Sequence, residues 1–311
     1  VLKEDSDRTP QGVTQHPAKH SAGFVVLGGR SNVGKSTLVN RLVGHKVAIV
    51  TPKPQTTRRK VLGIRSDPDA QIIFVDTPGI HDSPKMLNRR MVQTARQTLA
   101  DAEVIMGVIE AADRASPADH AFLQELRALN SPKLLVINKI DLMARVRLLP
   151  LLEESAHELP GIEIVPVSAK NGENIEELLR TLKAMLPEGP ALMSEEEYTD
   201  QTERTLAEEI VREKLFLKLE REIPFSTAVA VEAFSEDEDK KLIKIAATII
   251  VDRESHKGIV IGAGGRMLKE IGTAARIELE EILGWKVFLE LLVKVDRDWT
   301  RNPRKLQEMG L

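Results

Sequence analysis

One stretch restricts this chain more than any other. Gly29-Arg-Ser-Asn-Val-Gly34-Lys35-Ser36 follows the apolar run "FVVLG" and precedes "STLVNRLV", which Gly44 closes. A glycine-rich turn between a buried strand and a helix start lets the backbone wrap closely around an anion. The amides of the helix N-terminus then point at it. The spacing G-x-x-x-x-G-K-[ST] assigns Lys35 to the β- and γ-phosphates of a nucleotide and the Ser36 hydroxyl to Mg2+. Gly29, Arg30, Ser31, Asn32, Val33, Gly34 and Thr37 complete the wrap.

Four more apolar runs, "QIIFVD", "VIMGVIE", "KLLVIN" and "IEIVPVS", alternate with helix-like stretches up to about residue 186. Near-continuous apolar strands separated by helices predict a mostly parallel sheet with helices on both faces. "VLGIRSD" lies close enough to "QIIFVD" to be its antiparallel edge partner. In open α/β sheets, ligands bind at the carboxyl ends of the strands, and polar clusters stand there. Asp76-Thr77-Pro78-Gly79 places a carboxylate that holds Mg2+ through water and an amide that moves toward a γ-phosphate; Ile80 follows. In Asn138-Lys139-Ile140-Asp141, Asp141 accepts the N1–H and 2-amino groups of guanine, a donor pair adenine lacks. Asn138 ties the base loop to its neighbours, and the Lys139 stem lies along the base. Ser168-Ala169-Lys170 offers an amide to guanine O6. The basic, proline-rich "TPKPQTTRRK" supplies Thr57, or alternatively Thr56, to close over Mg2+ and the γ-phosphate. Its plain alternative is a solvated basic loop.

In this order, each after its own strand, the clusters resemble the guanine-nucleotide motifs of translation-factor-like GTPases. The resemblance implies a P-loop NTPase domain with Lys35, Thr57 and Gly79 as catalytic residues, and Ser36, Thr57 and Asp76 around Mg2+. Ras-like enzymes orient the attacking water with a glutamine after "DxxG". Ile80 stands there and cannot hydrogen-bond it, and Arg58 and Arg59 are the nearby candidates for an arginine finger. Slow turnover, accelerated by a partner, is the expectation. Asn32 resembles the asparagine that helps hold K+ in related GTPases.

The chain's 311 residues allow two domains. We read residues 1–21 as a disordered leader, 22–187 as the nucleotide domain, 188–204 as a linker and 205–311 as a second domain. Zero cysteines exclude disulfides and thiolate metal sites. A net charge of −3, from 44 basic and 47 acidic residues, gives no global attraction to nucleic acid or membrane. In the second domain, a helix over 204–222 ends before Pro224. Two strands follow, "STAVAVEAF" and "KLIKIAATIIVD". Next come a short helix, the loop Ile261-Gly262-Ala263-Gly264-Gly265, and a helix with the apolar stripe Leu268, Ile271, Ala275, Leu279 and Ile282. The last strand is "WKVFLELLVKV". This order looks like an α+β type II KH domain, whose G-x-x-G loop clamps the backbone of about four single-stranded nucleotides. Residues 253–276 carry five basic and two acidic side chains, and 294–305 again five and two. Lys257, Arg266, Lys269 and Arg301 are the expected phosphate contacts beside the loop.

A nucleotide domain followed by one type II KH domain resembles the bacterial Era family across residues 22 to 311. That resemblance implies binding near the 3′ end of 16S rRNA, a role in small-subunit maturation, and cytoplasmic location with some peripheral membrane association. A monomer is expected. Ser31 stands where the family usually has proline, and Ala263 where the loop often carries lysine. Competing readings are a signalling switch whose second domain binds protein or membrane, and a tRNA-modifying GTPase. The second is disfavoured because no further catalytic cluster appears outside the first domain.

Overall fold

Six strands form the first sheet in the order β2-β3-β1-β4-β5-β6. They are β1 (Ser21–Gly28), β2 (Val61–Asp67), β3 (Ala70–Asp76), β4 (Val104–Glu110), β5 (Lys133–Asn138) and β6 (Glu163–Pro166). The computed structural model describes residues 20–79, 86–297 and 299–308. Apart from His20 and Ser21, the expected leader lies outside them, and so does Ile80. Only β2 runs antiparallel to its neighbour; the other pairs are parallel.

Alternation along β1 assigns the two cores. Val25 and Leu27 pack with α1 (Lys35–Val43) and, further along the chain, with the helix Ile175–Met185. Val26 faces the other side, toward α2 (Met86–Ala100), α3 (Pro117–Ala128) and α4 (Arg145–Glu158). The helix Ile175–Met185 is α5. With β3 on one side of β1 and β4 on the other, the connections diverge, and the crevice opens at the carboxyl ends of these strands.

The segment expected as a linker lies against the first sheet. Gln71, fully buried on β3, accepts the amides of Leu192 and Met193 at 2.7 and 2.9 Å and donates to the Met193 carbonyl at 2.9 Å. Further on, the Tyr198 carbonyl accepts the Ile64 amide at 2.9 Å, and Thr199 Oγ1 donates to the Leu62 carbonyl at 2.8 Å. The segment is therefore a strap that covers the otherwise open edge of β2.

Thr202 caps α6 (Glu203–Lys218) through its side chain. The helix ends four residues short of the sequence expectation because Leu219 turns extended, and Leu219 and Ile223 bury in the second core. A turn over Pro224–Ser226 leads to β7 (Thr227–Asp237), which pairs antiparallel with β8 (Leu242–Val251). The chain then crosses through α7 (Glu254–Ile261) and α8 (Arg266–Leu283) to β9 (Lys286–Val295), parallel to β8. Ile243, Ile245, Ala247, Ile249 and Val251 of β8 meet Ile271, Ala275 and Leu279 of α8 in one core. This is the α+β architecture that the alternation in the sequence predicts. The last described element is α9 (Pro303–Glu308); its Leu306, with Trp299 from the turn before it, packs with Met91 of α2 and Ala228 of β7.

Replacing Gln71 by leucine would leave two amides and one carbonyl of the strap without partners. The expected cost is about 1–3 kcal/mol per unpaired buried group. Limited proteolysis should then cut within residues 190–202 well before the rest of the chain, and an unchanged digestion pattern would contradict this role for Gln71.

Candidate functional site

Three segments that are distant in sequence meet at the carboxyl end of β3. Ser36 Oγ, one residue into α1, donates to Asp76 Oδ2 at 2.6 Å and lies 2.9 Å from Thr57 Oγ1. Thr57 Oγ1 is 3.4 Å from the same carboxylate oxygen. Thr56 points elsewhere, to Thr51 Oγ1 at 2.6 Å and the Lys53 carbonyl at 2.8 Å. Asp76 is fully buried, and its Oδ1 accepts no hydrogen bond. Burial raises its pKa, while Lys35, Ser36 and Thr57 oppose the rise. An all-oxygen set around an unpartnered buried carboxylate oxygen fits a hard divalent cation such as Mg2+.

Lys35 is buried beside this cluster, and its ammonium donates to the carbonyls of Gly29 and Arg30, both at 3.0 Å. Burial lowers its pKa to about 8; Asp76 opposes that shift and Arg30 adds to it. The cleft next to these groups has a volume of about 540 Å³, with Ser31, Asn32, Gly34, Ser36, Thr37 and Gly79 in its wall. Gly79 comes so close to the loop that a Cβ there would lie 2.6–2.8 Å from Ser31. Ser31 Oγ, the hydroxyl at the family's proline position, is buried there without a hydrogen-bond partner. Thr77 Oγ1 anchors the turn to the Leu27 carbonyl at 2.7 Å, and Pro78 carries it on to Gly79. Arg30 stands in the cleft wall with its side chain paired to Asp119 and Glu110 at 2.8 and 3.2 Å. Asn32, at φ 67°, donates to the Pro52 carbonyl at 3.0 Å.

Asn138 is the tie that the sequence implies. It donates to the Val33 carbonyl at 2.9 Å and accepts the Ala169 amide at 3.0 Å, joining the phosphate loop to both base loops. The Ser168 hydroxyl donates to Asp141 Oδ1 at 2.6 Å and fixes the orientation of that carboxylate. Lys139 takes a left-handed backbone, φ 68°, with its ammonium 3.2 Å from Glu110. Arg41 of α1, which no motif singles out, donates to the carbonyls of Ala169 and Lys170 at 2.9 and 2.5 Å and so shapes the guanine-side loop.

The basic loop "TPKPQTTRRK" is only partly solvated: Pro52, Pro54 and Lys60 are exposed, while Thr56 and Arg58 are buried and the segment around them is tied to the second domain. Lys53 donates to the carbonyls of Phe216, at 2.5 Å, and Leu219 at the C-terminus of α6. Val50 donates its amide to Glu213 at 2.8 Å, and Lys46 pairs with Glu213 and Glu278. Arg58, considered above as an arginine finger, is buried against the second domain and away from the cleft. Burial lowers its pKa to about 9; Arg212 adds to the shift and Glu209 opposes it, so the group is charged at neutral pH. Arg59 reaches Glu208 at 3.3 Å.

In the second domain, Ile261 ends α7, and Gly262, Gly264 and Gly265 have φ of 73, 59 and 79°. A Cβ at Gly262 would lie 2.7 Å from Met267, whereas Gly264 and Gly265 face open space. Ala263 starts the short turn between the helices. Beside it, a groove between α8 and β9 is lined by Gly265, Leu268, Lys269, Arg276, Leu289 and Leu291. Arg266 leans on Glu270 at 3.4 Å, and Lys257 stands on α7. Arg301 is not in this groove. Its turn is pinned by Trp299, whose indole donates to the Ser226 carbonyl at 3.2 Å at the junction with α2. The second basic stretch is thus partly spent on the junction, with Lys305 2.5 Å from Asp296. Among the described residues no helix is long and apolar enough to cross a membrane.

Comparison with known proteins covers both domains. Residues 24–139 match the 50S ribosome-binding GTPase family and residues 222–300 the KH domain family. GTPase Era of Syntrophus aciditrophicus is 49% identical over 93% of this chain and 94% of its own. GTPase Era of Geobacter metallireducens is 44% identical over 93 and 97%. A crystal structure of an Aquifex aeolicus Era variant bound to GDP.AlF4- superposes with a TM-score of 0.90 at 44% identity, covering 93% of this chain and 99% of that one. Another, of Era with MgGDPNP and nucleotides 1506–1542 of 16S ribosomal RNA, gives a TM-score of 0.90 at 45% identity, covering 94 and 99%. With such identity along nearly the whole of both chains, and both domains in the same order, this chain belongs to the Era family of GTPases.

Proposed function

We propose that this chain hydrolyses GTP to GDP and phosphate as a switch, and that its KH domain binds single-stranded RNA at the 3′ region of 16S rRNA during small-subunit assembly. One observation carries the reading: a phosphate cradle with an all-oxygen cation set and a glycine loop beside a basic groove are joined in one chain by direct contacts. The Era relative bound to MgGDPNP and 16S rRNA supports it. The reading places the protein in the cytoplasm as a monomer, with peripheral association at the inner face of the membrane.

In this mechanism the loop amides and Lys35 hold the β- and γ-phosphates, while Ser36 and Thr57 ligate Mg2+ and Asp76 holds it through water. The bound cation neutralises charge developing on the phosphate oxygens. Gly79 approaches the γ-phosphate through its amide. Asp141, held by Ser168, reads guanine. Of the arginines near the cleft, Arg58 is committed to carbonyls of the second domain and Arg30 to Asp119 and Glu110, so neither serves as the finger. Intrinsic turnover is therefore slow, far below about 10 per second, since a finger is worth roughly 10³- to 10⁵-fold. Asn32 Oδ1 would hold K+, which would supply part of the missing charge; the amide nitrogen of Asn32 donates to the Pro52 carbonyl and leaves Oδ1 as its ligand atom.

Three measurements test the reading. Asp141→Ala removes two charge-assisted hydrogen bonds to guanine, together about 3–5 kcal/mol, so GDP affinity should fall by roughly 10²- to 4 × 10³-fold. Titration with a fluorescent GDP checks it, and affinity within threefold of the parent would remove Asp141 from the base site. Hydrolysis in 100 mM KCl should exceed that in matched NaCl by about tenfold, the effect of about 1.4 kcal/mol of transition-state stabilisation; equal rates would eliminate the K+ site. Gly264→Asp puts a carboxylate where the space is open, so the fold should persist while affinity for a 16S 3′-end oligonucleotide drops about tenfold or more. Unaltered, salt-insensitive binding would favour the alternative that the second domain engages a protein or a membrane.

A further inference from the structure

The segment that carries Thr57 has two faces. Thr57 turns inward to Ser36 and Asp76, while the adjacent Arg58 turns outward and is buried beneath the KH domain. Its guanidinium donates to the carbonyls of Thr227 at 2.7 Å and of Pro224 and Phe225 at 3.2 Å. It also lies 5.5 Å from the centre of the Phe216 ring. A planar fork of five donors matches such a fan of acceptors; an ammonium does not.

The turn that accepts these bonds is tied to the rest of its domain. Ser226 Oγ is 3.1 Å from His256 Nδ1, and the Ser226 carbonyl holds the Trp299 indole. His256 stands on α7, and α7 runs directly into Gly262. Packed contacts therefore connect the oxygen cluster of the nucleotide site to the glycine loop of the RNA site. Consecutive Cα atoms are separated by a fixed ~3.8 Å, so a shift of the Arg58 backbone with the KH domain is passed directly to Thr57. Arg59, two residues from Thr57, reaches Glu208 at 3.3 Å as an ion pair across the junction; the ties at Lys46, Val50 and Lys53 are at least four residues from Thr57.

We propose that Arg58 is a positioning residue for GTP hydrolysis, suspending Thr57 from the KH domain so that the seating of that domain decides whether Thr57 closes on the cation site. The proposal rests on the GTPase reading above and adds its regulation: RNA held at the glycine loop acts on hydrolysis through the Pro224–Ser226 turn and this one side chain. It also gives the basic composition of the loop a purpose beyond solubility.

The test uses the full chain, the variants Arg58→Ala, Arg58→Lys and Leu306→Ala, GDP, a non-hydrolysable GTP analogue, and an RNA oligonucleotide covering nucleotides 1506–1542 of 16S rRNA. For Arg58→Ala, kcat should fall about tenfold while GDP affinity stays within about twofold, because GDP lacks the γ-phosphate that Thr57 reaches. The ratio of RNA affinities between the GTP-analogue and GDP forms should collapse toward unity from a value within the roughly 5- to 150-fold range of ordinary coupling. Arg58→Lys keeps the charge but fewer of the bonds and should recover part of both effects. Leu306→Ala loosens the same junction away from Thr57 and without touching the Pro224–Ser226 turn; it should lower the melting temperature yet leave the coupling ratio within twofold. If Arg58→Ala keeps parental kcat and parental coupling, or if Leu306→Ala abolishes coupling equally, Arg58 is only a packing residue and the proposal fails. If the unmodified chain neither hydrolyses GTP nor binds the RNA, the functional reading itself fails.

Discussion

The buried carboxylate of Asp76 is the point on which the arrangement depends. One oxygen gathers Ser36 from the start of α1 and Thr57 from the segment before β2, while Lys35 shares the same desolvated space. Burial raises the aspartate and lowers the lysine for one reason: the low-dielectric interior disfavours either charge, and each partly compensates the other. A site balanced in this way responds to charge. An anion beside Lys35 or a cation beside Asp76 changes the electrostatic environment of Thr57, and Thr57 is the group attached to the rest of the molecule.

The joint between the domains suits that task because it is mostly polar. Lys46, Lys53, Arg58 and Arg59 meet carboxylates or helix-end carbonyls. The apolar contribution is the cluster of Met91, Ala228, Trp299 and Leu306. Partly exposed pairs such as Lys46 with Glu213 and Glu278 are individually weak and can separate at modest cost. Arg58 differs. It is buried, and moving it out would leave three carbonyls to be solvated, so its contacts form or break together. Contacts that form or break together favour discrete arrangements over a continuum, which suits the coupling proposed for Arg58.

The sequence makes some of this legible and hides the rest for a physical reason. The phosphate loop, "DTPG", "NKID" and "SAK" are readable because their chemistry is local: a strand end, a turn and a side chain within a few residues determine what each can bind. The β8 and α8 stripes are readable because periodicity alone identifies a buried face. Gln71, Arg41 and Arg58 are not readable in this way. Their partners lie 122, 128 and 169 residues away, and an arginine in a basic loop has the same local signature whether it faces water or three carbonyls. The linker is a related case: its proline, glycine and acidic residues signal a break in regular structure, and give no sign that Gln71 and Leu62 hold it along β2.

The KH loop shows how a departure from the family pattern is accommodated. Alanine at 263 removes a charge from the loop itself, so its hold on a phosphate backbone must come from main-chain geometry. Gly264 and Gly265, at positive φ with open space around them, allow close backbone approach. Flanking cations add less than their number implies, because Arg266 and Arg276 already lean on Glu270 and Glu280 at 3.4 and 2.7 Å. An incoming phosphate must displace those carboxylates, whereas Lys269, which lines the groove, has no such partner among the described residues. On the proposed reading Lys269 therefore carries more of the phosphate contact than Arg266 or Arg276, and the groove wall of Leu268, Leu289 and Leu291 adds apolar packing beside it. That shifts the burden of recognition toward the position of α7 and α8, and α7 is the helix whose His256 contacts the turn that holds Arg58.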